Sequence, residues 1–175
     1  SGDYDKIQLL NEFSVPPLKS KSIKLFYPGC GVDILFPLIY LDKLFPEINE
    51  AKLAFVDTEN TLGLIKPVLD EVGIHFSEKG NQISFYWNNK LISLKFITGN
   101  VFKILDEIKD YDVYFEKAFR IMREKVPDYE EKVVKNLASG GILISDSGFS
   151  NTNLKNLNVS KELSTYGEMF IGVKD

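Results

Sequence analysis

The segment Leu25-Phe26-Tyr27-Pro28-Gly29-Cys30-Gly31-Val32-Asp33 holds the densest group of residues able to do chemistry. An apolar run that breaks into a glycine turn and then a helix lets backbone approach a ligand closely. It also presents the helix's unpaired N–H groups. Asp57 follows 26 residues after Gly31, at the end of the next apolar run. A carboxylate there can accept both hydroxyls of a ribose. Glu116 and Asp146 end two further apolar runs, and a carboxylate so placed can act as a general base or an orienting acceptor. Each residue also has a plain structural alternative. The turn can be a bare strand-to-helix connection, Asp57 a cap of the next helix, and Glu116 a carboxylate facing water or Lys117. Cys30 and His75 are single in the chain, so neither an internal disulfide nor a cluster of histidine ligands is available.

These residues need a frame to hold them, and the chain alternates short apolar runs with helical patterns, as an α/β domain does. Residues 1–22 read as a polar extension in which Ile7, Leu10 and Phe13 form a short helix. Ile23–Tyr27 reads as a strand and Asp33 to Leu44 as a helix that stops before Pro46. Leu53–Val56 is a second strand. Thr58 or Asn60 can cap the following helix, which Pro67 is expected to kink and Gly73 to end. Residues 74–97 change to a period of two around Ile83, Phe85 and Trp87, with a turn at Asn88-Asn89, and predict a small antiparallel meander. A helix is expected over Val101 to Ile108, a strand at Val113–Phe115, and a helix from Pro127 that stops at Gly140-Gly141. Ile142–Ile144 is a further strand, and residues 147–175 form a tail with strand character at Met169–Val173. The expected fold class is α/β: a three-layer sandwich with a mainly parallel sheet and a meander insertion, all in one domain spanning 1–175.

The chain has 175 residues, 44% hydrophobic and 26% charged, which suits a globular domain with its own core. Its 21 basic and 25 acidic side chains give a net charge of −4, which argues against a broadly basic nucleic-acid-binding surface. Lys117, Arg120, Arg123 and Lys125 form a local basic segment that can meet an anionic substrate or RNA phosphate, or can be a solvated amphipathic helix. The longest apolar stretch, Val32 to Phe45, is interrupted by Asp33, Pro37 and Asp42, so no membrane helix is expected. The expected location is the cytoplasm.

In its order of motifs the chain resembles the class I S-adenosylmethionine-dependent methyltransferases over residues 23–146. Phe26–Gly31 resembles that family's first motif, and Leu53–Asp57 its second strand with the ribose-binding acid. Phe96-Ile97-Thr98-Gly99-Asn100-Val101 resembles the strand end that meets the adenine amino group. Tyr111–Glu116 resembles the fourth strand. Leu137–Ile144 resembles the passage from a helix through Gly-Gly into strand five. The resemblance implies a Rossmann-like fold and S-adenosylmethionine as cofactor. The implied contacts are Tyr27, Pro28, Gly29, Cys30, Gly31, Asp33, Asp57, Thr58, Asn100 and Val101, with Glu116 as the catalytic candidate. Departures stand beside it. Tyr27 occupies the usual acidic position, Asp33 the third glycine, and Asn100 the usual aspartate. Asp33 or Glu116 is the available substitute for the acid that contacts the cofactor's amino group. Glu116-Lys117-Ala118-Phe119 replaces the Asn-Pro-Pro-Tyr type sequence used to methylate amino groups of bases.

The expected activity is therefore methyl transfer to an unidentified acceptor. A non-catalytic binding or scaffolding protein of the same shape is the alternative. A nucleotide-binding oxidoreductase is a third reading, opposed by Asp33: a carboxylate beside a pyrophosphate repels it by roughly 1 kcal/mol at close range even in water.

Overall fold

A computed structural model describes residues 2–150 and 153–175. Ser1, and Asn151 and Thr152 of the expected tail, lie outside the described residues. Five apolar runs become parallel strands side by side: β1 (Ser22–Pro28), β2 (Glu50–Asp57), β5 (Lys90–Thr98), β6 (Tyr111–Glu116) and β7 (Leu137–Ser145). The meander supplies β3 (Phe76–Lys79) and β4 (Gln82–Trp87), antiparallel to each other and to β5. Asn88 and Asn89 make its turn, both with positive φ (46° and 66°), a conformation that asparagine tolerates. The carboxyl-terminal strands are β8 (Leu154–Asn156) and β9 (Phe170–Lys174), and β9 runs antiparallel between β7 and β8. The sheet order is β3-β4-β5-β2-β1-β6-β7-β9-β8. The parallel arrangement thus holds for the five central strands, and antiparallel pairs flank them on both sides.

Alternate residues of each central strand point to opposite faces. On one face Ile23, Leu25, Leu53, Phe55, Leu94 and Phe115 pack with α2 (Leu35–Leu44) and α3 (Leu62–Glu71). Tyr27 sits within this core, with the Phe55 and Phe115 rings edge-on to it at 5.2 and 5.0 Å. The amino-terminal segment, α1 (Gly2–Lys6) and a 3-10 helix at Ile7–Glu12, leans on the same core through Leu10. Pro67 lies inside α3, which runs unbroken to Glu71. On the other face Phe26, Val56, Tyr114 and Leu143 pack under α4 (Val101–Ile104), the adjoining 3-10 turn Leu105–Glu107 and α6 (Tyr129–Asn136). A single helical turn, α5 (Arg120–Arg123), joins β6 to α6.

Gly140-Gly141 does not end a helix. α6 stops at Asn136, and the glycine pair lies within β7, where the register with β6 slips between Tyr111 and Val113. Gly140 has φ +78°, and a Cβ on Gly141 would lie 2.7 Å from the Ala138 carbonyl. Glycine is therefore required by the bulge itself.

Candidate functional site

The chain ascends through β1, β2 and β5 in one direction across the sheet, then returns to the far side of β1 for β6 and β7. Helices α2 and α3 serve one half and the segments after β5 the other. β1 and β6 therefore border a switch point, and a crevice opens there beyond the carboxyl ends of the strands.

Backbone hydrogen bonds fasten these strand ends into a rim. The Gly29 N–H donates to the Val56 carbonyl at 2.8 Å, and the Gly99 N–H donates to the Asp57 carbonyl at 2.8 Å. Asp57 locks the glycine turn: its Oδ2 accepts the Gly31 N–H at 2.8 Å and its Oδ1 the Thr58 N–H at 2.7 Å. The Thr61 hydroxyl donates to the Gly31 carbonyl. Asp57 does not cap α3, whose first N–H, that of Leu62, is taken by Asn60 at 3.1 Å. Gly29 and Gly31 both have positive φ, 60° and 56°. They differ in surroundings. A Cβ on Gly29 would meet the Phe119 ring at 2.7 Å, whereas nothing lies within 4 Å of one on Gly31.

Asp33 serves α2 in the same manner. Its Oδ1 accepts the Phe36 N–H at 3.1 Å and its Oδ2 the Tyr27 hydroxyl at 2.9 Å. Burial raises its pKa above the ordinary carboxylate value; the Phe36 N–H, the Tyr27 hydroxyl and Lys117 oppose the rise. Burial, with Asp33 adding to it, pushes the Tyr27 hydroxyl well above its usual value. Cys30 is buried, and burial together with Asp57 pushes its thiol up to about 12, so it is an inert residue of the turn.

Tyr27, Gly29, Cys30 and Asp33 line an open cleft of about 450 Å³, with Tyr4, Phe36 and Lys117 on its walls. That size falls within the range of small-molecule sites. The Tyr4 ring lies 4.3 Å from that of Phe36, and the Lys117 ammonium sits 3.6 Å above the Phe36 ring. Asp57, Thr58, Asn100 and Val101 do not line this cleft. They form the neighbouring rim, joined to it through Gly31. Asn100 is exposed, but its side-chain oxygen accepts the Phe102 N–H at 2.9 Å and so caps α4, and Val101 is buried as the first residue of that turn. Pro28 is buried at the end of β1.

Glu116 is placed unlike the expectation of a base. It is 0% exposed. Its Oε1 accepts the Tyr114 hydroxyl at 2.7 Å, and its Oε2 meets Arg123 Nε at 3.0 Å and the Ser145 hydroxyl at 2.8 Å. The Tyr129 hydroxyl lies 2.9 Å from that of Tyr114 and extends the network. Burial raises the Glu116 pKa, and Arg123 and the hydroxyls restrain it. A carboxylate sealed in this way positions the β6 end and offers no acceptor to a substrate. Of the basic segment, the two arginines are engaged in ion pairs, Lys117 sits over the Phe36 ring and Lys125 is exposed. Arg123 is buried on Glu116 and also pairs with Glu130 and the Gly148 carbonyl, while Arg120 pairs with Glu124 and Glu168. The residues that sequence reasoning missed are Tyr4 and Phe36. Tyr4 lies in the polar extension, where no motif flags it, and Phe36 reads only as an apolar helix residue.

No protein-family model matches the chain, and no curated protein matches it. Solved structures do. TrmN from Thermus thermophilus superposes with a TM-score of 0.50 at 12% identity over 98% of this chain and 48% of its own, so this chain spans about half of that protein. A methyltransferase from Geobacter sulfurreducens superposes with a TM-score of 0.54 at 12% identity, covering 88% of this chain and 72% of that one. The likeness shows the fold: a Rossmann-like α/β fold with a mixed sheet, shared with these two solved structures.

Proposed function

We propose that this chain binds S-adenosylmethionine at the strand-end rim and transfers a methyl group to an acceptor. The adenosine lies against Gly31, Asp57 and Thr58, with Asn100 and Val101 toward the base, and the amino group of the methionine lies toward Asp33 in the cleft beside Tyr27, Gly29 and Cys30. The observation that carries this reading is the state of the turn's donors. The N–H groups of Gly29, Gly31 and Phe36 are already taken, the last two by the carboxylates of Asp57 and Asp33. A pyrophosphate would find occupied donors and two negative charges; a ligand bearing a sulfonium and an ammonium finds attraction. The sheet also departs from the 3-2-1-4-5-6 order of dinucleotide-binding folds, because antiparallel β9 occupies the place after β7.

When bound, the cofactor supplies a methyl group already activated on a sulfonium. What the residues then contribute is positioning and the exclusion of water. Asp57 holds the turn and has acceptor capacity left for a ribose hydroxyl, since a carboxylate offers about four lone-pair sites. Asp33, fixed by Tyr27, supplies the negative charge that the usual acidic position lacks. Glu116, through Arg123 and Ser145, keeps the β6 and β7 ends in register beside the site.

Calorimetric titration with S-adenosylhomocysteine tests the reading. Asp57→Ala is expected to weaken binding by about 1–3 kcal/mol, and Asp57→Asn by less, because the amide keeps one acceptor. Equal affinity of all three proteins would refute the role of Asp57.

A further inference from the structure

Parallel strands are ordinarily covered on both faces, because crossovers place helices there. Here one face is covered only over β6 to β9 and the ends of β1, β2 and β5, and the rest is bare. After β5 the chain spends only the residues of α4 and the 3-10 turn before entering β6, and these pack over Phe26, Val56 and Tyr114. The core on that face takes no residue from β3 or β4, and from β5 only half-buried Ile97. Strand register sets out what lies uncovered. One cross-strand row reads Ser77, Ser84, Ser93, Lys52, Lys24; the next reads Lys79, Gln82, Lys95, Ala54 and then buried Phe26. With strands about 4.8 Å apart, each row spans about 19 Å.

The groove over these rows holds about 570 Å³ and is lined by Lys24, Lys52, Lys95 and Lys109 against one acid, Glu107. Lys24, Lys52 and Lys95 are exposed, and their ammonium groups make no ion pair among the described residues. A chain of net charge −4 thus gathers an excess of positive charge on the part of this sheet face it leaves open, where half-buried Glu50, which accepts the Ser22 hydroxyl, is a further acid in the adjoining row. Tyr86 stands at the next level of β4 with 70% of its surface exposed, an aromatic ring beside the lysine rows.

We propose that this face is a docking platform for single-stranded nucleic acid. Lysines that track a phosphate backbone, serine hydroxyls and amides beside them, and an exposed ring able to stack a base are what such a strand needs. A second copy of the chain is the poorer occupant, since a two-fold contact would set lysines against lysines. The platform lies on the flat of the sheet rather than at the strand ends, and it stands independently of cofactor binding.

The test is fluorescence anisotropy of a labelled single-stranded RNA of about 20 nucleotides, titrated with the full chain at several salt concentrations. The Lys24→Gln/Lys52→Gln/Lys95→Gln protein is compared with Lys43→Gln/Lys135→Gln/Lys155→Gln, a charge-matched variant of exposed lysines that line no part of the groove. Thermal unfolding confirms that both fold. The platform variant is expected to lower the slope of log K against log salt by roughly 2 and to weaken binding roughly 10- to 100-fold, as follows from three lost phosphate contacts. The control variant is expected to change affinity less than about two-fold. The proposal is overturned if the RNA does not bind, if both variants weaken it equally, or if polyglutamate competes as well as unlabelled RNA, which would assign the face to acidic protein. Self-association that the platform variant abolishes would also overturn it. None of these outcomes depends on S-adenosylhomocysteine, so they leave the methyl-transfer reading to its own test.

Discussion

Replacing Arg123 with methionine removes the cation that faces a fully buried carboxylate. Glu116 has no exposed surface, and the Arg123 side chain has 3%. Breaking such a pair on one side typically costs about 3–5 kcal/mol. Protonation sets a ceiling. Carrying a proton at pH 7 on a carboxyl whose unfolded pKa is about 4.3 costs roughly 1.36 kcal/mol for each of about 2.7 units, or about 3.7 kcal/mol. Without Arg123 the folded pKa of Glu116 rises further, so stability is kept below the unfolded value and lost as pH climbs toward the new folded value. The penalty should therefore be about 3–4 kcal/mol at pH 7 and only about 1 kcal/mol from this source at pH 5. At about 2–4 °C per kcal/mol for a domain of this size, the melting temperature falls by about 6–15 °C at pH 7. Circular dichroism melts of the wild type and Arg123→Met at both pH values measure it. Glu116→Gln/Arg123→Met should recover part of the loss, since it leaves no buried charge unpaired. A drop that is equal at pH 7 and pH 5, or absent at both, would refute the assignment of Glu116 and Arg123 as a sealed structural pair.

Two further outcomes follow from the turn. Gly29→Ala is expected to cost about 1–3 kcal/mol, because its Cβ would meet the Phe119 ring at 2.7 Å and its φ is positive; Gly31→Ala meets open space and should cost only the φ strain of about 1 kcal/mol. Denaturant unfolding of the two variants decides the order. Because burial raises the pKa of Asp33, its charge is lost as pH falls through a value above the ordinary carboxylate range. Affinity for S-adenosylhomocysteine should fall with it, and Asp33→Asn should bind more weakly at pH 7 and lose that pH dependence.

Much of the frame was legible because local pattern and tertiary role agree. Leu25–Tyr27 and Leu53–Val56 are apolar, short and followed by Pro28-Gly29 and by Asp57, and they became central strands. The Asn88-Asn89 turn between alternating residues became the hairpin. The misreadings came from information that sequence distance hides. Gly140-Gly141 has the composition of a helix stop, yet its function is a bulge that depends on how Tyr111 and Val113 meet β7. Glu116 reads as a strand-end carboxylate with a crevice before it. Its partners Arg123 and Ser145 come from a later turn and a neighbouring strand, and only folding brings them onto it. Lys24, Lys52 and Lys95 carried a signal that went unread: a lysine at alternate positions of a run that is otherwise apolar marks a strand half open to water. That the three lie on one face required the register of β1, β2 and β5.

The central claim is that the strand-end rim holds a nucleoside bearing positive charge and not a dinucleotide. Side-by-side calorimetry of the unmodified chain with S-adenosylhomocysteine and with NAD tests it most directly. The account predicts one saturable site for the thioether and none for NAD; a saturable NAD site with no heat from the thioether would contradict it.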